Sequence, residues 1–132
     1  MRTYIMLKPD ALKRKLAGEI ISRIEKKGYD ITAMKMLTLN EEIVREHYAH
    51  IADKPFFPEI RDYMTSGPVV AMIVEGPDVV QGMRNIMGAT KCLEALPGSI
   101  RGDYAFYNGE NLIHGSDSVE NAEIEIARFF GK

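Results

Sequence analysis

The heptapeptide NLIHGSD at residues 111–117 carries the side chain best suited to covalent chemistry, His114. A neutral imidazole, with an unperturbed pKa of about 6.5, is a nucleophile near neutral pH. The segment precedes a predicted helix, whose first backbone N–H groups form a natural anion site. Gly115 beside it would permit close approach of a large ligand. Taken alone, the segment leaves two interpretations open: a nucleophile, or a histidine hydrogen-bonded within a turn.

Four more side chains could bind an anion together with this histidine. Lys8 ends the first predicted strand, Arg84 lies on a predicted helix, and Thr90 and Arg101 flank a long predicted loop. Strand ends can bring such distant residues together in one sheet. By spacing alone, however, Lys8 and Arg84 are more typical of solvated surface charges.

Two other histidines, His47 and His50, are three residues apart on a predicted helix. Two ligands make a poor zinc site, so the spacing predicts exposed surface histidines. Neither phosphate-binding glycine motif, G-x-x-x-x-G-K-[ST] or G-x-G-x-x-G, occurs in the chain.

Composition excludes several classes of protein. The 132 residues fit one domain, residues 1–132, and 17 basic against 19 acidic side chains give a net charge of −2. Such a chain is not built to coat nucleic acid or an anionic membrane. The single cysteine, Cys92, excludes an intrachain disulfide and a four-cysteine zinc site. With no membrane-length apolar run and no signal-peptide pattern, we expect a cytoplasmic protein.

Hydrophobic periodicity predicts strands at residues 3–7, 29–39, 69–74 and 103–107. It predicts helices at residues 16–27, 41–50, 58–65 and 79–87, and a last one after Asp117, with Glu120 as its capping-box partner. Met36 is predicted to face the core, and residues 89–102 to form a loop. This order predicts an α+β, ferredoxin-like split-βαβ sandwich, a four-stranded, mainly antiparallel sheet with helices packed on it.

Seven collinear segments are similar to those of the nucleoside diphosphate kinase family. The signature of that family, N-x-x-H-G-S-D, corresponds to residues 111–117, and the resemblance covers about residues 3–130. The other segments are MLKPD at 6–10, GEII at 18–21, HY at 47–48, KPFFP at 54–58, YMTSGPV at 63–69 and PGSIRGD at 97–103.

The resemblance implies an enzyme that transfers a terminal phosphate from a nucleoside triphosphate, typically ATP, to a nucleoside diphosphate. In that family the reaction is ping-pong, runs through a phosphohistidine, uses Mg²⁺ held mainly by the nucleotide phosphates, and maintains nucleotide pools. By resemblance, His114 is the nucleophile, Tyr48 lies beside its ring, and Ser116 and Glu125 orient its second nitrogen. Covalent catalysis lets donor and acceptor use one site in turn.

The same resemblance assigns the nucleotide contacts. Phe56 would stack on the base, and stacking tolerates every base because each has a π face; Ile60 is its apolar neighbour. The alternative for Phe56 is a buried core aromatic, but Phe57 beside it is the better candidate for the core. Positioned cations suit phosphoryl transfer, and the fork of arginine binds two phosphate oxygens at once. The phosphate contacts implied are Lys8, Arg84, Thr90 and Arg101, and the sugar contacts are Asn111 and Lys8.

The family also implies a homo-oligomer, a tetramer or a hexamer. The loop after Thr90 reads Thr90-Lys91-Cys92 where the family usually has Thr-Asn-Pro or Thr-Asp-Pro, and this loop helps to build subunit contacts. The alternative function is a nucleotide-binding regulator or scaffold on the same fold without turnover. An RNA-binding version would need aromatic side chains on its central strands, and residues 69–74 have none.

Overall fold

A computed structural model describes residues 1–131. Four strands form one sheet in the order β2-β3-β1-β4, with every neighbouring pair antiparallel. The strands are β1 (Arg2–Leu7), β2 (Asp30–Leu37), β3 (Val69–Glu75) and β4 (Ile113–Gly115). The helices are α1 (Pro9–Lys13), α2 (Ala17–Lys27), α3 (Glu41–His47), α4 (Phe57–Met64), α5 (Val79–Met87), α6 (Ile100–Tyr104) and α7 (Val119–Phe130). The predicted ferredoxin-like architecture is confirmed.

Helices cover both faces of the sheet. On one face, Ile5 and Met72 pack with Ile20 of α2 and Met83 of α5. On the other face, Tyr4 and other side chains of β1 and β3 pack against α3, α4 and α7. The apolar run of β3 is therefore buried on both sides, as its composition predicts. Within residues 1–131, no helix is both long and apolar enough to cross a bilayer.

The last strand is not where the periodicity predicts it. Residues 103–107 were expected to be a strand, but α6 occupies 100–104 and β4 is the three-residue segment with His114 at its centre. The Ser99 hydroxyl accepts a hydrogen bond from Gly102 N–H and caps α6, a local signal that outweighs the β-prone aromatics after it. The predicted loop 89–102 is correspondingly shorter, and it contains a 3₁₀ turn at Cys92–Glu94.

Three smaller expectations are also wrong. The cap of α7 is Ser118, whose hydroxyl accepts from Asn121 N–H, so the proposed box between Asp117 and Glu120 does not form. Helix α3 ends at His47, and a 3₁₀ turn at Ala49–Ile51 follows it. Met36 is 66 % exposed because β2 is an edge strand. The short helix α1 was not anticipated, although proline at its first position is favourable.

Candidate functional site

One cleft of about 650 Å³ gathers eight of the residues singled out from the sequence. A second cavity of about 460 Å³ adjoins it, since Lys8 and Tyr48 line both. The predicted site residues that line the first cavity are Lys8, Tyr48, Arg84, Thr90, Arg101, Asn111, His114 and Glu125. Two further predicted residues, Phe56 and Ile60, line the second cavity.

His114 is held by a hydrogen-bond chain that joins β4 to α7. Its Nε2 lies 3.0 Å from Oε1 of Glu125, and the Ser116 hydroxyl donates to the same oxygen at 2.6 Å. Burial would raise the pKa of Glu125, but the hydrogen bonds from His114 and Ser116 outweigh it and hold that pKa below its ordinary value. An ionised Glu125 only accepts, so the imidazole proton belongs on Nε2 and Nδ1 keeps its lone pair.

His47 is buried beside this histidine, which corrects the expectation that it lies on the surface. The two rings stand edge-on, with centroids 4.7 Å apart. Burial, and then His114, lower the pKa of His47 to about 3, so the ring is neutral. Arg128 Nη1 lies 2.9 Å from His47 Nδ1, and a guanidinium can only donate, so His47 carries its proton on Nε2. The sequence holds a partial indication that Arg128 belongs to the site, because it follows Glu125 by three residues and therefore lies on the same side of α7.

The cations of the cleft differ in how they are held. Lys8 lies between β1 and α1, and its Nζ donates to Asn111 Oδ1 at 2.9 Å. Burial, then Arg101, lower the pKa of Lys8 to about 8, while Asp10 opposes the shift. The Arg84 guanidinium forms no hydrogen bond or ion pair with the other described residues, so its whole fork can face a ligand.

Arg101 is buried and already engaged with the backbone. Its guanidinium donates to the carbonyls of Ile113 at 2.5 Å, Gly88 at 3.1 Å and Asn111 at 3.3 Å. Burial, and then Arg84, lower the pKa of Arg101 to about 10, which leaves it charged at neutral pH. The side chain therefore ties β4 to the end of α5 as well as lining the cleft.

Backbone geometry around β4 fixes the remaining side chains. Leu112 adopts a left-handed conformation with φ of 75°, and its carbonyl accepts from Lys8 N–H at 2.8 Å. Gly115 makes room for the protein rather than only for a ligand, because a Cβ there would lie 2.5 Å from Met87 Sδ. Burial raises the pKa of Tyr48 to about 12, so its hydroxyl keeps its proton beside the cleft.

The second cavity has an aromatic wall and an acidic one. Phe56 is 51 % exposed, whereas Phe57 is 1 % exposed in the core, which confirms Phe57 as the core aromatic. The lining of the same cavity also includes Tyr107 and Glu110. Sequence reasoning missed these two residues because they belong to a turn with no periodicity.

One group of side chains could offer three metal ligands, and it is already satisfied. Ligand atoms of His47, His114 and Glu125 lie within 4.8 Å of one another. However, His114 and Glu125 are hydrogen-bonded to each other, and the guanidinium of Arg128 faces His47. This positive neighbour disfavours a protein-bound cation there.

Comparisons with known proteins agree along the whole chain. The family model described as nucleoside diphosphate kinase matches residues 1–132. The nucleoside diphosphate kinase of Acetivibrio thermocellus is 54 % identical over 129 residues, covering 98 % of this chain and 95 % of the relative. That of Thermus thermophilus is 52 % identical over 129 residues, covering 98 % and 94 %.

Solved structures of the same family match this chain at somewhat lower sequence identity. The apo nucleoside diphosphate kinase of Encephalitozoon cuniculi superposes with a TM-score of 0.96 at 46 % identity, covering 99 % of this chain and 89 % of that one. The enzyme of Halobacterium salinarum, in complex with CDP, gives 0.95 at 47 % identity, covering 100 % and 88 %. A histidine hydrogen-bonded to a carboxylate in a cation-lined cleft accords with these matches. The chain belongs to the nucleoside diphosphate kinase family.

Proposed function

We propose that this chain moves the terminal phosphate of a nucleoside triphosphate, typically ATP, to a nucleoside diphosphate through a phosphohistidine at His114. The observation that carries this proposal is the chain Ser116–Glu125–His114. It fixes the imidazole proton on Nε2, so that Nδ1 can act as the nucleophile. Glu125 then stabilises the positive charge that the ring gains as Nδ1 forms a new bond.

The two half-reactions use one site. In the first, the Nδ1 lone pair of His114 attacks the γ-phosphorus, the bond from that phosphorus to the β,γ-bridging oxygen breaks, and the nucleoside diphosphate leaves with the electron pair. In the second, a terminal oxygen of a new diphosphate attacks the same phosphorus and the P–N bond breaks, which restores neutral Nδ1. Because the first nucleoside diphosphate leaves the phosphorylated enzyme before the acceptor binds to the same site, the kinetics are ping-pong.

Phosphoryl transfer depends on positioning and on stabilising charge at the equatorial oxygens. We assign this work to Lys8, Arg84 and Arg101 with the hydroxyl of Thr90. Arg84 has no competing partner among the described residues and supplies a free fork. Tyr48 keeps its phenolic proton, so its hydroxyl can donate a hydrogen bond to a ligand bound beside His114.

The sugar and base extend into the second cavity. Asn111, whose Oδ1 accepts from Lys8, would contact the sugar hydroxyls together with that lysine. The exposed face of Phe56 would stack on the base beside Ile60. Stacking of this kind accepts every base.

The donor set fits Mg²⁺ bound through the nucleotide, since Glu125, the carboxylate beside the nucleophile, is already hydrogen-bonded to His114 and Ser116. When bound, Mg²⁺ neutralises charge on the nucleotide phosphates. We assign no side chain of this chain as its ligand. We also propose a cytoplasmic location.

A homo-oligomer, tetramer or hexamer, is the assembly we propose. Strand β2 lies at the edge of the sheet, and two of its side chains, Met34 and Met36, are exposed. Elsewhere, Leu93 is 98 % exposed and Phe106 is 86 % exposed. Leu93 and Phe106 line one shallow cavity, and neighbouring exposed apolar side chains of this kind mark surfaces that bind another protein chain.

The test is transfer of label from [γ-³²P]ATP with Mg²⁺. Protein-bound label should resist base, be lost in acid, and pass to unlabelled GDP. His114→Ala should take no label, whereas the control Glu42→Ala, at an exposed position of α3 outside the cleft, should still be labelled. Folding of each variant is checked by circular dichroism. Nucleotide binding by a folded chain that takes no label would favour the regulator or scaffold instead.

A further inference from the structure

The two halves of the cleft carry opposite charge. The phosphate half, which is the cavity of about 650 Å³, is positive on balance: its charged lining consists of the cations Lys8, Arg84, Arg101 and Arg128 and the carboxylates Glu46, Asp117 and Glu125. The base half, which is the cavity of about 460 Å³, is lined by the carboxylates Glu59 and Glu110 and by one cation, Lys8. Within residues 1–131, neither carboxylate forms an ion pair. The charged lining of the base half is therefore negative on balance, and its two carboxylates can accept hydrogen bonds from a ligand.

Glu110 is held in place by the turn at residues 107–110. The Tyr107 hydroxyl donates to Glu110 Oε2, and Glu110 N–H donates to the Tyr107 carbonyl at 3.3 Å. Gly109 lets the Tyr107 ring lie across the turn, since a Cβ there would sit 2.6 Å from Tyr107 Cε2. The carboxylate is therefore oriented before any ligand arrives, and Oε1 and the second lone pair of Oε2 remain available.

A base stacked on Phe56 keeps its hydrogen-bonding edges free, because stacking uses only its faces. Those edges lie in a cavity that Glu110 also lines. A carboxylate accepts two parallel hydrogen bonds from a pair of adjacent N–H groups, as it does from arginine. Among the bases, guanine presents such a pair, at its ring N1–H and its exocyclic amine.

We propose that Glu110 is a specificity residue that favours guanine nucleotides by accepting hydrogen bonds from the N1–H and the amine of the base. The proposal rests on the proposed function, because it concerns the acceptor of the same phosphohistidine. Tyr107 acts as a positioning residue for the carboxylate. The sugar and phosphate contacts are common to all nucleotides, so this selectivity is added to a broad basal activity.

The experiment compares GDP with IDP, whose base lacks only the exocyclic amine. Discharge of ³²P-labelled enzyme is measured for both acceptors, and the ratio of their kcat/KM values is the readout. A hydrogen bond to a partly exposed carboxylate predicts a ratio of about ten in the unmodified chain. In Glu110→Gln the ratio should fall to about two, and in Tyr107→Phe it should take an intermediate value. The control Glu42→Gln removes the same charge from an exposed site on α3 and should keep the ratio of the unmodified chain.

A ratio near one in the unmodified chain, or a ratio that Glu110→Gln leaves unchanged, overturns the proposal while the phosphotransferase stands. If ATP gives no labelled enzyme, the proposed function fails. Calorimetric affinities for GDP and IDP then test Glu110 by themselves, with the same expected ratio.

Discussion

Arg101 offers the sharpest test of the site, because the same side chain lines the cleft and ties three carbonyls together. Replacing it by Met keeps most of its volume but leaves the carbonyls of Gly88 and Ile113 without this donor, whereas the Asn111 carbonyl still accepts from Ile113 N–H at 2.9 Å. A buried acceptor left unpaired costs about 1–3 kcal/mol, and part of that cost is relieved by water at the cleft. We expect Arg101→Met to lower the free energy of unfolding by about 3 kcal/mol, or about 10 °C in Tm for a chain of this length.

Urea denaturation followed by circular dichroism measures this change. Arg84→Met is the matched control, because it removes the same charge from the same cleft but breaks no hydrogen bond within the described residues. It should change the free energy of unfolding by less than about 0.5 kcal/mol while still reducing phosphoryl transfer. An Arg101→Met protein within about 1 kcal/mol of the parent would refute the anchoring role and leave Arg101 as a ligand contact alone.

Three further outcomes follow from the hydrogen-bond network and the buried groups. Glu125→Gln should lower kcat about 10- to 100-fold in the labelled-ATP assay with little change in KM, because Glu125 acts through the His114 ring; an unchanged kcat contradicts this. Tyr4→Phe should raise the free energy of unfolding by about 1 kcal/mol in urea, because the buried Tyr4 hydroxyl has no hydrogen-bond partner among residues 1–131. Burial lowers the pKa of Lys8 from 10.5 to about 8, so the unfolded chain holds more protons between those values. Stability should therefore rise with pH across that interval while kcat/KM falls, and Lys8→Met should remove the Lys8 contribution to the stability slope.

The sheet and most helices could be predicted because their signals are local. The apolar run of β3 and the helical spacing of α2 and α5 each lie within a dozen residues, and so does the contrast between Phe56 and Phe57 at the start of α4. The prediction of a strand at 103–107 was wrong because it too rested on local signals alone. Its aromatic residues are β-prone one by one, and the cap at Ser99 decides the conformation from outside that window.

The environment of His114 could be predicted only in part. Motif resemblance named the histidine and Glu125, but the burial of His47 depends on α3 packing against α7. Its contact with Arg128 joins residues 81 positions apart. The turn that orients Glu110 has neither period nor charge pattern. Such contacts cannot be predicted from local sequence patterns. The roles of the site residues stay predictions until the variants are made.

The central strand β1 has a consequence for how the protein is made. Its neighbour β4 begins more than 100 residues later, and Tyr4 accepts the Ser116 N–H at 3.1 Å across that gap. A growing chain that has reached only α5 can pair β1 with β3, but it leaves the other edge of β1 open. His114 and the cleft that binds its substrates therefore form together, after the last quarter of the chain has been synthesised. Until then the open edge of β1 is a place where nascent chains can associate.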